Sequence, residues 1–405
     1  MKLSKLSQLF LVSTIGLLVA SLLTSCEIVT IDYLFVANSA GSGTSSTGQI
    51  ETYDVDSETG TLRTGQATVN SGGTNPVSMA VTSDYANLYV ANAGNSAVVH
   101  FSLSGSGVLA QKDVVTAIDT PVAIAVNAAN TYLYVVSGTT SATITAYSLS
   151  SGTIGSVASQ QPLIVPGYSS DTILPTGVNV LANSNAVYVT AYDQSAYNPG
   201  GTTTPTSTAN PGWVFGFAVG SGGALSAANG SPYKAGVKPS AIASDPTNRF
   251  VYVTDFASNQ LIGYTIQSGN VLDFLINGPF KTGNEPASIA IDPRGLYIYV
   301  ANELDSTVTA YNISLATGTP TAVVNTTGSS LNQTDTQPVA ILVDAALGRF
   351  VYTANHLGDS ISGFQLNPDT GSLKPTLATP FPTGSAPTAL ASVPHGNHSI
   401  QSVTP

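Results

Sequence analysis

The sequence predicts an all-β fold: a seven-bladed β-propeller of four-stranded antiparallel blades, its ring closed by the last strand. Three series of residues predict it. Proline-led apolar segments open at Pro76, Pro121, Pro175, Pro239, Pro286, Pro338 and Pro387, at intervals of 45 to 64 residues. A second series, rich in Tyr and Val, ends at Asn38, Asn92, Ser137, Ala191, Asp255, Asn302 and Asn355. A third carries an aromatic and an aliphatic two residues apart, as in Tyr311 and Ile313 or Phe364 and Leu366. Each series has seven members, so the repeat number is fixed three times over.

Residues 286–313 are the clearest copy and show why each element forms. Ile289, Ala290 and Ile291 make an apolar first strand, and Asp292, Pro293, Arg294 and Gly295 are turn formers. Residues 296–300 make the second strand and, after a short polar loop, 308–313 the third. A sheet this small cannot bury both faces alone, so the copies must stack on one another. The body begins on a second strand (33–38) and ends on a first strand (387–393). The C-terminal strand therefore completes the N-terminal blade, which removes an open sheet edge. Nothing after the leader reads as a helix. The propeller is expected over 33–393, with 394–405 a tail in which His395 and His398 are solvated. His100, in a third strand, reads as a packed or surface residue.

Residues 1–25 are set aside as a processing signal. Lys2 and Lys5 precede an apolar run at 9–18, shorter than the roughly 20 residues a membrane span needs. Leu23, Thr24, Ser25 and Cys26 resemble a bacterial lipobox, which makes Cys26 the lipidated first residue and 26–32 a short tether. A plain secretory leader cut near Ser25 is the other reading. Cys26 is the single cysteine, so no intrachain disulfide forms. Glu27 stands where an Asp resembles an inner-membrane retention signal, which points to the outer membrane of the cell envelope.

Composition excludes some partners. Charged residues are 8% of the chain and hydrophobic ones 42%. The net charge of −11 becomes −13 without Lys2 and Lys5, nine cations against 22 carboxylates. Scattered cations on an anionic body do not neutralise phosphates, which argues against nucleic acid and phosphorylated ligands. The expected partners are a small molecule, a glycan or an envelope protein on the outward face, besides the membrane, with the chain a monomer.

The outward face collects residues from the last three blades around the channel: Lys238, Asp255, Glu285, Asn302, Glu303, Asp305, Asn355 and His356. Such oxygens suit Ca²⁺, which takes six to eight, or a polar ligand, and no cofactor is required. Asn and Asp recur after most second strands, however, where they also serve simply to satisfy backbone groups as the strand ends. Glu303 and His356 break the repeat and are the candidate catalytic pair. Two loops break the period. Residues 191–212 far exceed the usual connection of about 4–6 residues, and Tyr192, Tyr197 and Trp213 at the loop offer an aromatic platform if it is not disordered. Residues 39–48 have flexible linker composition. There is no nucleophile elbow, phosphate-cradling glycine loop or zinc spacing.

The blade consensus of a proline-led strand, an Asp-Pro turn and a Tyr-Val-Ala/Thr-Asn strand resembles the seven-bladed lactonase-like propellers. These include the 6-phosphogluconolactonase-type and muconate-cycloisomerase-like group and YVTN-repeat relatives. The likeness runs through the whole body and is closest at Asn302, Glu303, Leu304, Asp305, Ser306, Thr307 and Val308, and again at 349–373. The resemblance implies an active centre with a Pro-Arg-His strand opening, a loop Glu, and an Arg before Asp-Ser-Ile. Here only the Glu position is kept, as Glu303. First strands open Pro239-Ser240-Ala241, Pro286-Ala287-Ser288 and Pro338-Val339-Ala340, and His356, Leu357 and Gly358 precede Asp359. Two functions are consistent with this. One is a binding platform with weak or absent catalysis; the other is hydrolysis of an unphosphorylated sugar or aliphatic lactone, with Glu303 assisting water and His356 or Lys238 stabilising charge.

Overall fold

A computed structural model describes residues 29–39, 47–116, 118–139, 141–166, 172–194, 212–325 and 327–396. Cys26, Tyr197, His398 and most of the 39–48 and 191–212 loops lie outside these. The seven expected blades are present, each an antiparallel sheet whose path runs through four strands in radial order. Blade VI follows the sequence reading: Pro286–Ile291, Tyr297–Asn302, Thr307–Ile313 and Pro320–Ala322. Two 3₁₀ turns, Ala93–Asn95 and Ser221–Gly223, are the helical elements between the strands. In five blades the outer strand continues as a second short piece on the third strand, which leaves little regular edge to pair with other chains.

Blade I closes the ring. Its strand Thr30–Asn38 pairs on one side with Gln49–Asp56 and on the other with Pro387–Pro394, in register from Asp32 opposite Pro394 to Ala37 opposite Ala389, with a bulge before Asn38 meets Pro387. The strand begins at Thr30, before the expected boundary at 33, because Ile31 and Asp32 are fully buried between blades I and VII. His395 corrects the expectation of a solvated tail. Its amide bonds the Ile31 carbonyl at 2.8 Å, its Nδ1 lies 3.1 Å from the Thr30 carbonyl, and its ring meets Tyr33 edge-on at 5.2 Å.

The core lies between blades. Seven clusters of buried apolar side chains each join one neighbouring pair, so stacking buries both faces of each sheet. Second-strand tyrosines add a directional bond to the next blade. Tyr89, Tyr188, Tyr252, Tyr299 and Tyr352 donate their hydroxyls to the carbonyls of Gly152, Asn270, Gly318, Gly371 and Gly60, at 2.5 to 2.9 Å. Blade I has Phe35 at this position, and the buried Tyr134 hydroxyl of blade III has no partner. The acceptor residue is left-handed in all five turns, and it is glycine in four of them and Asn270 in the fifth. Gly371 has φ +73°, and a Cβ there would lie 2.2 Å from the Tyr297 ring.

The opposite face is organised by the Asp-led turns. Asp245, Asp292 and Asp344 each accept backbone N–H bonds from the start of the following strand, as Asp292 does from Leu296 and Tyr297. Arg249, Arg294 and Arg349 then reach the next blade, at the carbonyls of Leu315, Pro368 and Ser57. His100 is packed, as expected: it stacks on Tyr89, with Nδ1 2.6 Å from Asp113 and Nε2 2.8 Å from Asn87.

Candidate functional site

The loop leading into each first strand and the loop leaving each second strand meet at the outward mouth of the channel. A repeated backbone bond joins them: Phe256, Glu303 and His356 donate their N–H groups to the carbonyls of Lys238, Glu285 and Gln337, at 2.8 to 2.9 Å. These two columns of residues decide what faces the mouth. A cavity of about 480 Å³ opens there, walled by Val122, Leu174, Pro175, Ala287 and Val339, with Thr139, Thr176 and Ser240 as its neutral polar groups. Lys238, Glu303, Tyr192 and Phe256 complete it.

Lys238 is held by an Asp255 carboxylate that has no surface role. Asp255 is fully buried and accepts N–H bonds from Val237 at 3.0 Å and Lys238 at 2.9 Å, and a third from Gln260 at 2.9 Å. Gly236 allows the approach, since a Cβ there would fall 2.0 Å from Asp255 Oδ2. The lysine Nζ lies 4.1 Å from the Phe256 ring centre and 5.8 Å from that of Tyr192. Burial pushes the Lys238 ammonium below its ordinary value, against the opposing pull of Glu303 and Glu285.

Glu303 is half-buried, and its Oε1 accepts a 2.6 Å bond from Gln337 Nε2. That bond fixes the carboxylate at the cavity and leaves Oε2 outside it. Glu285 sits behind in a left-handed conformation, φ +55°, with its N–H bonded to Asn259 Oδ1. It acts on Lys238 through charge but does not line the cavity.

The other expected site residues separate from this group. His356 does not join the cavity; its Nδ1 is 3.2 Å from the Pro387 carbonyl of the closing strand. Trp213 packs against the core between blades III and IV and does not line the cavity. Asn302 bonds Thr307 and Thr309, Asn355 bonds Ser360 and Ser362, and Asp305 accepts from Asn284. The two asparagines donate through Nδ2 and the Asp305 carboxylate accepts, so these side chains brace loops, as is also expected of the repeated Asn and Asp, while Asn302 Oδ1 has no partner. Among the described residues no group of three His, Cys, Asp or Glu side chains that could hold a metal ion is found. Phe256, Gln337 and Ser240 are site residues that the sequence reading missed. Two further cavities, on the flank of blade V and the rim of blade VII, hold no acid–base pair.

The sequence matches the family described as Lactonase, 7-bladed beta-propeller, over residues 94–400. The chain belongs to that family. Among curated proteins none matches it. Solved structures do. A Pseudomonas aeruginosa periplasmic gluconolactonase is 18% identical with a TM-score of 0.71, over 91% of this chain and 100% of that one. A candidate 6-phosphogluconolactonase from Bacteroides uniformis gives 17% identity and 0.71, over 90% and 100%. A candidate from Bacteroides fragilis gives 17% and 0.69, over 91% and 99%. At these identities the likeness extends to the fold, and the chemistry of this lactonase-family propeller has to be argued from its own cavity.

Proposed function

We propose that this lactonase-family propeller is an envelope-anchored binding protein that takes a small, neutral, polar molecule into the mouth of its channel, with weak or absent catalysis. The observation that carries the reading is the meeting of Lys238 and Glu303 in one largely apolar cavity. A ligand carbonyl suits the ammonium, a ligand hydroxyl suits the carboxylate, and the aromatic rings cover an apolar face. Glu303 and Glu285 offset the lysine charge, which disfavours a phosphorylated or multiply anionic ligand. Lipid attachment at Cys26 to the outer membrane would hold the mouth outward, because both ends of the propeller leave from the opposite face.

The Lys238–Glu303 pair also favours a second reading, hydrolysis of an unphosphorylated lactone. Glu303 Oε2 would take a proton from water as the water oxygen attacks the ring carbonyl. Lys238 would stabilise the resulting oxyanion until the ring oxygen leaves and is protonated. His356 has no part in this reading.

Calorimetric titration and a hydrolysis assay on a panel of neutral lactones and sugars, with Glu303→Gln and Lys238→Met alongside, test both. Binding that Lys238→Met weakens, without turnover, is the expected result. Turnover abolished by Glu303→Gln would replace the platform by the hydrolase. Binding equal in all three proteins would remove the site.

A further inference from the structure

We propose that Lys238 is an acylation site: a lactone bound at the channel mouth transfers its acyl group to the lysine Nζ. The proposal rests on the reading of this cavity as a site for neutral lactones. It adds a stoichiometric covalent outcome that neither binding nor hydrolysis requires.

The geometry singles out one amine. The described residues contain five lysines, and Lys112, Lys234, Lys281 and Lys374 are exposed to solvent. Lys238 alone is half-buried, with its Nζ beside Phe256 and Tyr192 at the wall of a cavity large enough for a sugar-sized ring. A confined amine next to a bound carbonyl reacts at the high effective concentration that positioning gives, whereas an exposed lysine meets lactone only by collision. Burial also favours the neutral, nucleophilic amine, although Glu303 and Glu285 act in the other direction.

The step balances without any other reagent. Lys238 first loses one ammonium proton to solvent. The amine nitrogen then bonds to the lactone carbonyl carbon, the ring C–O bond breaks, and the ring oxygen takes the second proton from nitrogen. The product is an N-acyl lysine ending in a free hydroxyl, and the positive charge of the cavity is lost.

Glu303 gives the proposal a signature of its own. As a base for hydrolysis it would accelerate turnover, but as a negative charge near Lys238 it holds the proton on the amine. Glu303→Gln should therefore speed acylation while slowing any hydrolysis.

The test is incubation of the soluble protein with glucono-δ-lactone, followed by intact mass and peptide mapping. Thermal-shift binding of the same lactone is measured in parallel. The expected result is one added lactone equivalent at Lys238, formed about tenfold faster than at any exposed lysine. It should be faster still in Glu303→Gln and absent in Lys238→Arg, with the rate rising between about pH 7 and pH 10. Binding without modification of Lys238 would overturn the acylation and leave the binding reading in place. Equal modification of all lysines would overturn it as well. Neither binding nor modification would sink both readings together.

Discussion

Tyr299 and Tyr134 occupy the same place in blades VI and III, yet removing their hydroxyls should have opposite effects. The Tyr299 hydroxyl gives a 2.9 Å bond to the Gly371 carbonyl across the blade interface, and both groups are buried. Tyr299→Phe loses that bond and leaves a carbonyl unpaired in a dry seam, at a cost of about 1–3 kcal/mol. The Tyr134 hydroxyl is equally enclosed but has no partner, and burial pushes its pKa up to about 12. Tyr134→Phe removes an unsatisfied polar group and should be neutral or stabilising by up to about 1 kcal/mol. Unfolding entropy of about 2.1 cal/mol/K per residue gives a body of this length roughly 0.8 kcal/mol/K, so each kcal/mol moves Tm by about 1.3 °C. The two variants should thus differ in Tm by roughly 1–5 °C, with Tyr299→Phe the lower. Calorimetry on both proteins, beside the parent, reads this directly. Equal shifts, or a larger loss from Tyr134→Phe, would refute the idea that these hydroxyls tie blade to blade.

Asp32 should make stability depend on pH. Burial pushes its carboxyl well above the usual range, and the neighbouring Asp344 charge adds to this. Between the ordinary carboxylate pKa near 3.9 and that raised value the folded protein holds a proton that the unfolded chain releases, so stability falls as pH rises through the window. Asp32→Asn should raise Tm at pH 7 and leave it unchanged near pH 3, as measured by melts across pH; an unchanged profile would contradict the assignment. Deleting the chain after Gly384 removes the closing strand and uncovers Leu34, Phe35 and Val36, all fully buried. At about 1.5–3 kcal/mol for each side chain, the loss approaches a typical total stability of about 5–15 kcal/mol, and the cooperative melt should vanish. Gly371→Ala forces a left-handed alanine into the Tyr297 ring and should cost at least about 2 kcal/mol, which denaturant titration would detect.

The fold was legible because repetition multiplies a weak signal. One Pro-led strand proves little, but seven at blade spacing, matched by seven second and third strands, leave few alternatives. The site was only half legible. Glu303 stood out because it breaks the pattern, and Lys238 because it precedes a first strand on the outward face. Phe256 and Gln337 were hidden although they occupy the same columns as His356 and Lys238. A side chain reaches the channel through its rotamer and the path of its loop, and repeat alignment gives the column without the direction. His356 illustrates this: it shares a column with Glu303 but turns to a carbonyl of the closing strand. Asp32 was missed because the tether was read as ending at 32, before the strand that buries it.

The pairing of Asp32 with Pro394 also means that the two ends of the propeller lie about one strand spacing apart, near 4.8 Å. In architectural terms the body is a loop of protein whose starting point is arbitrary. A circular permutant with residue 396 linked back to 29 and new ends at 194 and 212 would keep every strand pairing described above. It would also bring both ends to the outward face, beside the channel mouth instead of opposite it.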